Sequence, residues 1–195
     1  MGRNREECSI VFTTSEEAGL KFSRLVLLGK VEADDRVLRI EAIKTLVVSR
    51  SQVNSVKVRT TDRENIFLFI FESEEDKQRV LQEAFSSAFK NIIFKEWPHD
   101  KALKDINFAK GPACWIQVHG LPPNQMTKEN AKKIGAMFAG LVEFDHGDLS
   151  GDVLCSNGYM RLKVDVWADE PFRKGFLNRK PNGESYWVEF KPEKV

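Results

Sequence analysis

The chain has 195 residues, with 30 basic and 29 acidic side chains and a formal net charge of +1. Hydrophobic residues at 42% and charged residues at 30% are an ordinary globular make-up, which sets aside general disorder and collagen-like repeats. No apolar run reaches the roughly 18 residues of a membrane helix, and the opening MGRNREECSI lacks the apolar stretch of a signal peptide.

The apolar run Leu25–Val31 predicts a strand, and residues 8–13 could add another. Asp34 and Asp35 can cap a helix on which Ile40, Ile43 and Val47 fall at helical spacing. Residues 53–59 alternate, with Val56 and Val58 opposite Lys57 and Arg59. The stretch 65–71, NIFLFIF, is apolar on both faces and is expected to be a central, doubly covered strand. Ser73 followed by Glu74, Glu75 and Asp76 reads as a helix start, with Val80, Leu81, Ala84, Phe85 and Ala88 on one face. Residues 92–97 complete the order strand, helix, strand, strand, helix, strand, which is ferredoxin-like.

Residues 98–112, PHDKALKDINFAKGP, are polar, bounded by Pro98 and Pro112, and expected to connect the half 1–97 to the half 113–195. The second half opens with a strand over 114–122, stopped by Gly120 and Pro122. Thr127 can cap a helix with Ala131, Ile134 and Phe138 on one face and Gly140 at its end. Residues 141–145 and 159–167 alternate as strands, and 175–190 predict a hairpin turned at Pro181-Asn182-Gly183. The fold class is therefore α+β: two ferredoxin-like halves with antiparallel sheets and helices on one face, the second closing in a hairpin.

No catalytic set emerges. His99, His119 and His146 are scattered, and the HExxH, CxxC, GxSxG and GxxxxGK[ST] patterns are missing. Cys114 and His119 lie five apart on a strand, on opposite faces, which is poor metal geometry. Glu143, Asp145, Asp148 and Asp152 lack calcium-loop spacing and read as a solvated acidic loop. No enzyme activity, cofactor or metal is expected. Three cysteines, Cys8, Cys114 and Cys155, do not make a disulfide framework, so a reducing compartment, nucleus or cytoplasm, is expected.

A surface carries more signal. Trp115, Gln117 and His119 share one face of their strand; Tyr159, Arg161, Lys163 and Asp165 share one face of theirs. Side by side, the two strands would present aromatic and basic groups together, suited to stacking bases and meeting phosphates. An ordinary solvent face, or one covered by the other half with Trp115 filling the junction, fits the same pattern. Arg173, Lys174, Arg179 and Lys180 flank a short strand by the hairpin turn and could grip a phosphate backbone or simply solvate a loop. Phe67, Phe69 and Phe71 share a face of the central strand and could stack bases, but three large aromatics in line are more often core, or the seam between halves. The near-zero net charge means that nucleic-acid binding would need such local patches.

The run WIQVHGLPPNQMTKENAKKIGAMFAGLVEFD (115–145) resembles a plant domain of unknown function found in retrotransposon-derived proteins, including the first open-reading-frame product of LINE-type elements. That family shows a W-V-x-hydrophobic-x-G-L-P strand, a T-x-E-N…I-G helix and a G-x-hydrophobic-x-x-D strand. Residues 27–31, 69–81 and 92–97 look like its earlier blocks, and 159–166 and 186–194 like its closing strands. The resemblance implies RNA-recognition-like folding and nucleic-acid association without known catalysis. A CCHC zinc knuckle usually follows in the family; VEFKPEKV (188–195) has Pro192 in place of a tyrosine and carries no knuckle ligands, so no zinc is transferred. The expectation is a non-catalytic module binding RNA or another single-stranded nucleic acid through Trp115, Gln117, His119, Tyr159, Arg161 and Lys163, aided by Arg173, Lys174, Arg179 and Lys180. The alternative is a protein-interaction module using the same face, toward a partner or a second copy.

Overall fold

The computed structural model describes residues 9–32, 40–83, 91–149 and 151–194. The first half contains α1 (Glu16–Leu25), β1 (Val26–Val31), α2 (Ile40–Ser51), β2 (Val56–Thr60), β3 (Ile66–Phe71), α3 (Glu74–Glu83) and β4 (Ile92–Glu96). The second contains β5 (Cys114–His119), α4 (Lys128–Gly135), β6 (Gly140–Phe144), β7 (Met160–Asp165), β8 (Gly175–Arg179) and β9 (Ser185–Pro192). The fold is mixed α+β with two antiparallel sheets, ordered β2-β3-β1-β4 and β6-β7-β5-β9-β8. None of the described helices is long and apolar enough to cross a membrane.

The first order is that of a ferredoxin-like unit. β1 and β3 lie inside it, which is why both carry apolar side chains on both faces. One face packs on α2 and α3: Leu27, Phe69, Phe71 and Phe94 meet Ile43, Val47, Val80 and Leu81 in one core. Burying each of the larger side chains contributes about 1.5–3 kcal/mol. Phe67, Phe69 and Phe71 therefore belong to the core under the helices and not to a seam between halves. Gly29 makes room there, since a Cβ would fall 2.5 Å from the ring of Phe69, which stands edge-on to Phe94 at 5.0 Å. Ser73 caps α3 as its sequence predicts, accepting the Asp76 N–H at 3.1 Å. The expected caps Asp34 and Asp35, and the helix positions Ala84, Phe85 and Ala88, lie outside the described residues.

One expectation needs correction at the start of the chain. Residues 9–13 join no strand, and Ile10, Val11 and Phe12 are exposed because no sheet edge pairs with them. Helix α1, which no apolar stripe announces, follows instead. Ser15 caps it by accepting the Ala18 N–H at 3.3 Å. Side contacts fix it: Phe22 stands edge-on to Trp97, the Ser23 hydroxyl donates to the Trp97 carbonyl, and Lys77 donates to the Ser23 carbonyl.

The stretch 98–112 is more than a polar spacer. Ile106 and Phe108 alternate into a second core with Leu28 and Ile66, covering the sheet face opposite the helices. Arg63 holds them there, donating to the carbonyls of Leu103 and Ile106, both at 2.8 Å. The other edge of this stretch pairs with the chain after β7: Gly111 N–H donates to Val166 O, and Ala168 N–H to Ala109 O. Lys95 of β4 joins the three parts. Its buried amine donates to Asn107 O at 2.6 Å, reaches Asp169 at 3.4 Å and Glu170 at 3.6 Å, and sits 4.5 Å from the Trp167 ring centre.

The second half repeats strand, helix, strand, strand, and the β8–β9 hairpin replaces a second helix and last strand. β9 lies against β5 as β4 lies against β1. Thr127 caps α4 by accepting the Asn130 N–H at 3.2 Å. The helix ends at Gly135, short of the expected Gly140, and gives way to tighter turns in which Met137 N–H donates to Ile134 O and Phe138 N–H to Gly135 O; Leu141 crosses so closely that a Cβ at 135 would lie 2.8 Å from its nitrogen. Ala131, Ile134 and Phe138 still share one buried face, over Ile116, Val118 and Leu162.

Two substitutions test this packing by urea unfolding. Gly29→Ala is expected to cost about 1–3 kcal/mol through overpacking against Phe69. Lys95→Ala is expected to cost about 1–3 kcal/mol by leaving Asn107 O and two carboxylates without their donor. Lys101→Ala, an exposed lysine nearby, serves as the control and is expected to leave the midpoint unchanged.

Candidate nucleic-acid interface

β5 pairs with β7 so that Trp115 lies opposite Lys163 and Gln117 opposite Arg161. On its other side β5 pairs with β9, placing Gln117 opposite Lys191 and His119 opposite Glu189. Directly opposed residues in an antiparallel ladder point the same way. The alternation of both strands therefore converges on one sheet face, away from α4, and brings together Trp115, Gln117, His119, Tyr159, Arg161 and Lys163. All six are half-buried. The His119 and Tyr159 rings lie 4.7 Å apart, and the Arg161 guanidinium lies 3.9 Å from the centre of the Trp115 ring.

Every cation of this group has a carboxylate beside it. Arg161 donates to both oxygens of Glu193, from Nε to Oε1 at 2.7 Å and from Nη2 to Oε2 at 2.8 Å. Asp145 stands 3.5 Å from its remaining nitrogen. Lys163 lies 3.8 Å from Glu143, and Lys191 3.9 Å from Glu189. Gln117 donates to Glu193 at 3.3 Å, and its oxygen meets the His119 ring at 2.9 Å. The electrostatic consequences follow. Hydrogen bonding to Glu193 raises Arg161 above its ordinary pKa, and the same bond lowers Glu193 below the usual carboxylate range. His119 is held below the ordinary imidazole value, first by desolvation and then by the Lys191 charge, with Glu189 pulling the other way.

The other four basic candidates do not form one cluster. β8 separates Arg173 and Lys174 from Arg179 and Lys180 by about 17 Å at ~3.3 Å per residue. Arg173 lines a cleft between the halves with Trp167, Met137 and Phe138. Lys180 pairs with Glu184 at 3.7 Å across the hairpin turn. Arg179 is opposite Ser185 and shares the open face with Leu177 and Trp187.

Trp187 is absent from the sequence-based candidates, although the alternation of SYWVEF places it on this face with Glu189. Its indole lies over Gly175, where a Cβ would fall 2.7 Å from the ring, and it remains 58% exposed. Leu177 beside it is 53% exposed. Nothing in the sequence marks Glu193 or Lys191, because a charged residue in or just past a strand carries no signal without knowing what pairs with it.

Among the described residues no group of three or more His, Cys, Asp or Glu could hold a metal ion. The acidic loop does local work instead: Asp145 accepts the Gly147 N–H, and Asp148 the Asn157 N–H. Cys114 lines an open cleft of about 510 Å³ with Phe172 and Trp167, and burial pushes its thiol up, away from nucleophilic character. No protein-family model matches the chain, and no curated protein matches it significantly.

The electrostatics of the face are checked by an NMR pH titration of the His119 ring. Its midpoint is expected below that of an exposed imidazole. Lys191→Gln should raise it and Glu189→Gln should lower it further. A midpoint insensitive to both would mean that the ring does not sit between those two charges.

Proposed function

We propose that this protein binds single-stranded nucleic acid, RNA foremost, by laying bases against the open face of the second sheet. The observation that carries this reading is the convergence of stacking surfaces on one exposed face. They are the His119–Tyr159 pair, the Arg161 plane over Trp115, and the flat, exposed Trp187. Stacking on aromatic rings and guanidinium planes is how single-stranded bases are held without sequence readout, each contributing about 1–3 kcal/mol. The resemblance of residues 115–145 to a transposon-derived family supports the same reading.

The pairing of Arg161, Lys163 and Lys191 changes the expected character of binding. A cation already neutralised by a carboxylate releases few counterions from an incoming strand, so the salt dependence is shallow and stacking dominates. Basic groups with no carboxylate partner on this face reduce to Arg179 among the described residues.

A protein contact through the same face is the second reading, favoured by the adjacent exposed side chains of Trp187 and Leu177. Fluorescence anisotropy of a labelled oligouridylate separates the two. Binding is expected to weaken with salt along a log–log slope no steeper than about −1.5. Tyr159→Ala and Trp187→Ala are each expected to weaken it by about 5–100-fold, the stacking of one base. No binding at low salt, with Trp187→Ala altering self-association in sedimentation, would replace the nucleic-acid reading by the protein one.

A further inference from the structure

Glu193 stands where the anionic group of a ligand would be expected. Arginine grips phosphates and carboxylates through the same two-pronged fork, and here both prongs of Arg161 are filled by Glu193. Gln117 supplies a third donor to the same carboxylate at 3.3 Å. The guanidinium carbon sits over the Trp115 ring, 3.9 Å from its centre, so the fork is in place before any ligand arrives. Backbone geometry seats the carboxylate: just past β9, the Glu193 N–H donates to Trp115 O at 2.9 Å. Asp145, at 3.5 Å from the last nitrogen of Arg161, leaves the two-pronged edge to Glu193 alone.

We propose that Glu193 is an internal competitor that occupies the phosphate subsite of the sheet face. Nucleic acid gains Arg161 and Gln117 only by exchanging a backbone phosphate for this carboxylate. The proposal rests on the nucleic-acid reading of the face and adds its regulation. Whatever draws residue 193 away from β5 raises affinity, by exposing a fork and a ring that are already in position. The hydrogen bonds between them raise Arg161 and lower Glu193 from their ordinary pKa values, in keeping with the two-pronged contact. With 22% of the Glu193 side chain and 29% of the Arg161 side chain exposed, solvent reaches and screens the pair, and an incoming anion can approach it.

The test compares the whole chain with Glu193→Gln, Arg161→Gln, the double variant and Glu189→Gln, all checked for native melting. The probe is the labelled oligouridylate. Glu193→Gln is expected to bind at least about fivefold tighter, with a salt slope steeper by about 0.7. Glu189→Gln removes one negative charge from the same face but frees no fork, so its gain should be clearly smaller. In the double variant the gain should vanish, because no guanidinium is left to release. Binding by the wild type with no gain in Glu193→Gln, or an equal gain in Glu189→Gln, overturns the competitor. A second readout separates this failure from failure of the nucleic-acid reading: the ¹⁵N signal of Arg161 Nε during titration with inorganic phosphate. If no variant binds RNA but that signal moves in Glu193→Gln and not in the wild type, the masked anion subsite stands and its nucleic-acid ligand falls. A signal that moves in neither protein, with no RNA binding, overturns both.

Discussion

A lysine amine removed from water must be met by acceptors, and Lys95 finds them only when three separate stretches of chain arrive together. β4 supplies the amine, residue 107 a backbone carbonyl, and the segment after β7 two carboxylates and an indole face. Such a group adds little net stability, because desolvation consumes most of the attraction, but any arrangement that omits one partner is costly. The two sheets are thereby held in one relation. The connecting stretch is held as well, since its carbonyl is the shortest of the contacts.

That arrangement decides which surfaces stay open. The outer face of the first sheet is closed by Ile106 and Phe108, strapped down by Arg63, so its aromatic strand serves only as core. Among the described residues none covers the corresponding face of the second sheet in this way, and its rings keep contact with solvent. Its electrostatics are nearly self-contained: carboxylates from β6, β9 and the loop after β6 meet the cations of β7 and β9. A face built in this way offers rings and paired charges more than net charge, in keeping with a chain whose total charge is near zero. The fork of Arg161 is filled by one of the protein's own carboxylates.

How much of this could be read from residues alone varied with the range of the interactions involved. Period-two alternation gave β2, β5, β7 and the hairpin, and with them the shared face of Trp115, Gln117, His119, Tyr159, Arg161 and Lys163, because alternation is a property of the strand itself. Ser73 and Thr127 were legible as caps for the same reason: a capping oxygen acts within one turn. Helix α1 was not, since its apolar contacts are few and come from Trp97, far along the chain. Ile106 and Phe108 alternate, but two apolar residues in a polar stretch acquire meaning only beside the sheet they cover. Arg173 and Lys174 stand before β8 and Arg179 and Lys180 at its far end, as residues flanking a short strand do, so an extended strand sets the two pairs apart in space.

The sequence by itself determined the local elements, the α+β class and the side chains that each strand would present on each face. Those follow from short-range sterics and periodicity. Tertiary structure alone decided which cations would be free. An arginine on a strand looks like a phosphate ligand until the ladder sets Glu193, 32 residues away, in its fork. Charge acts through space and not along the chain, so which carboxylate neutralises which guanidinium is a property of the register between strands.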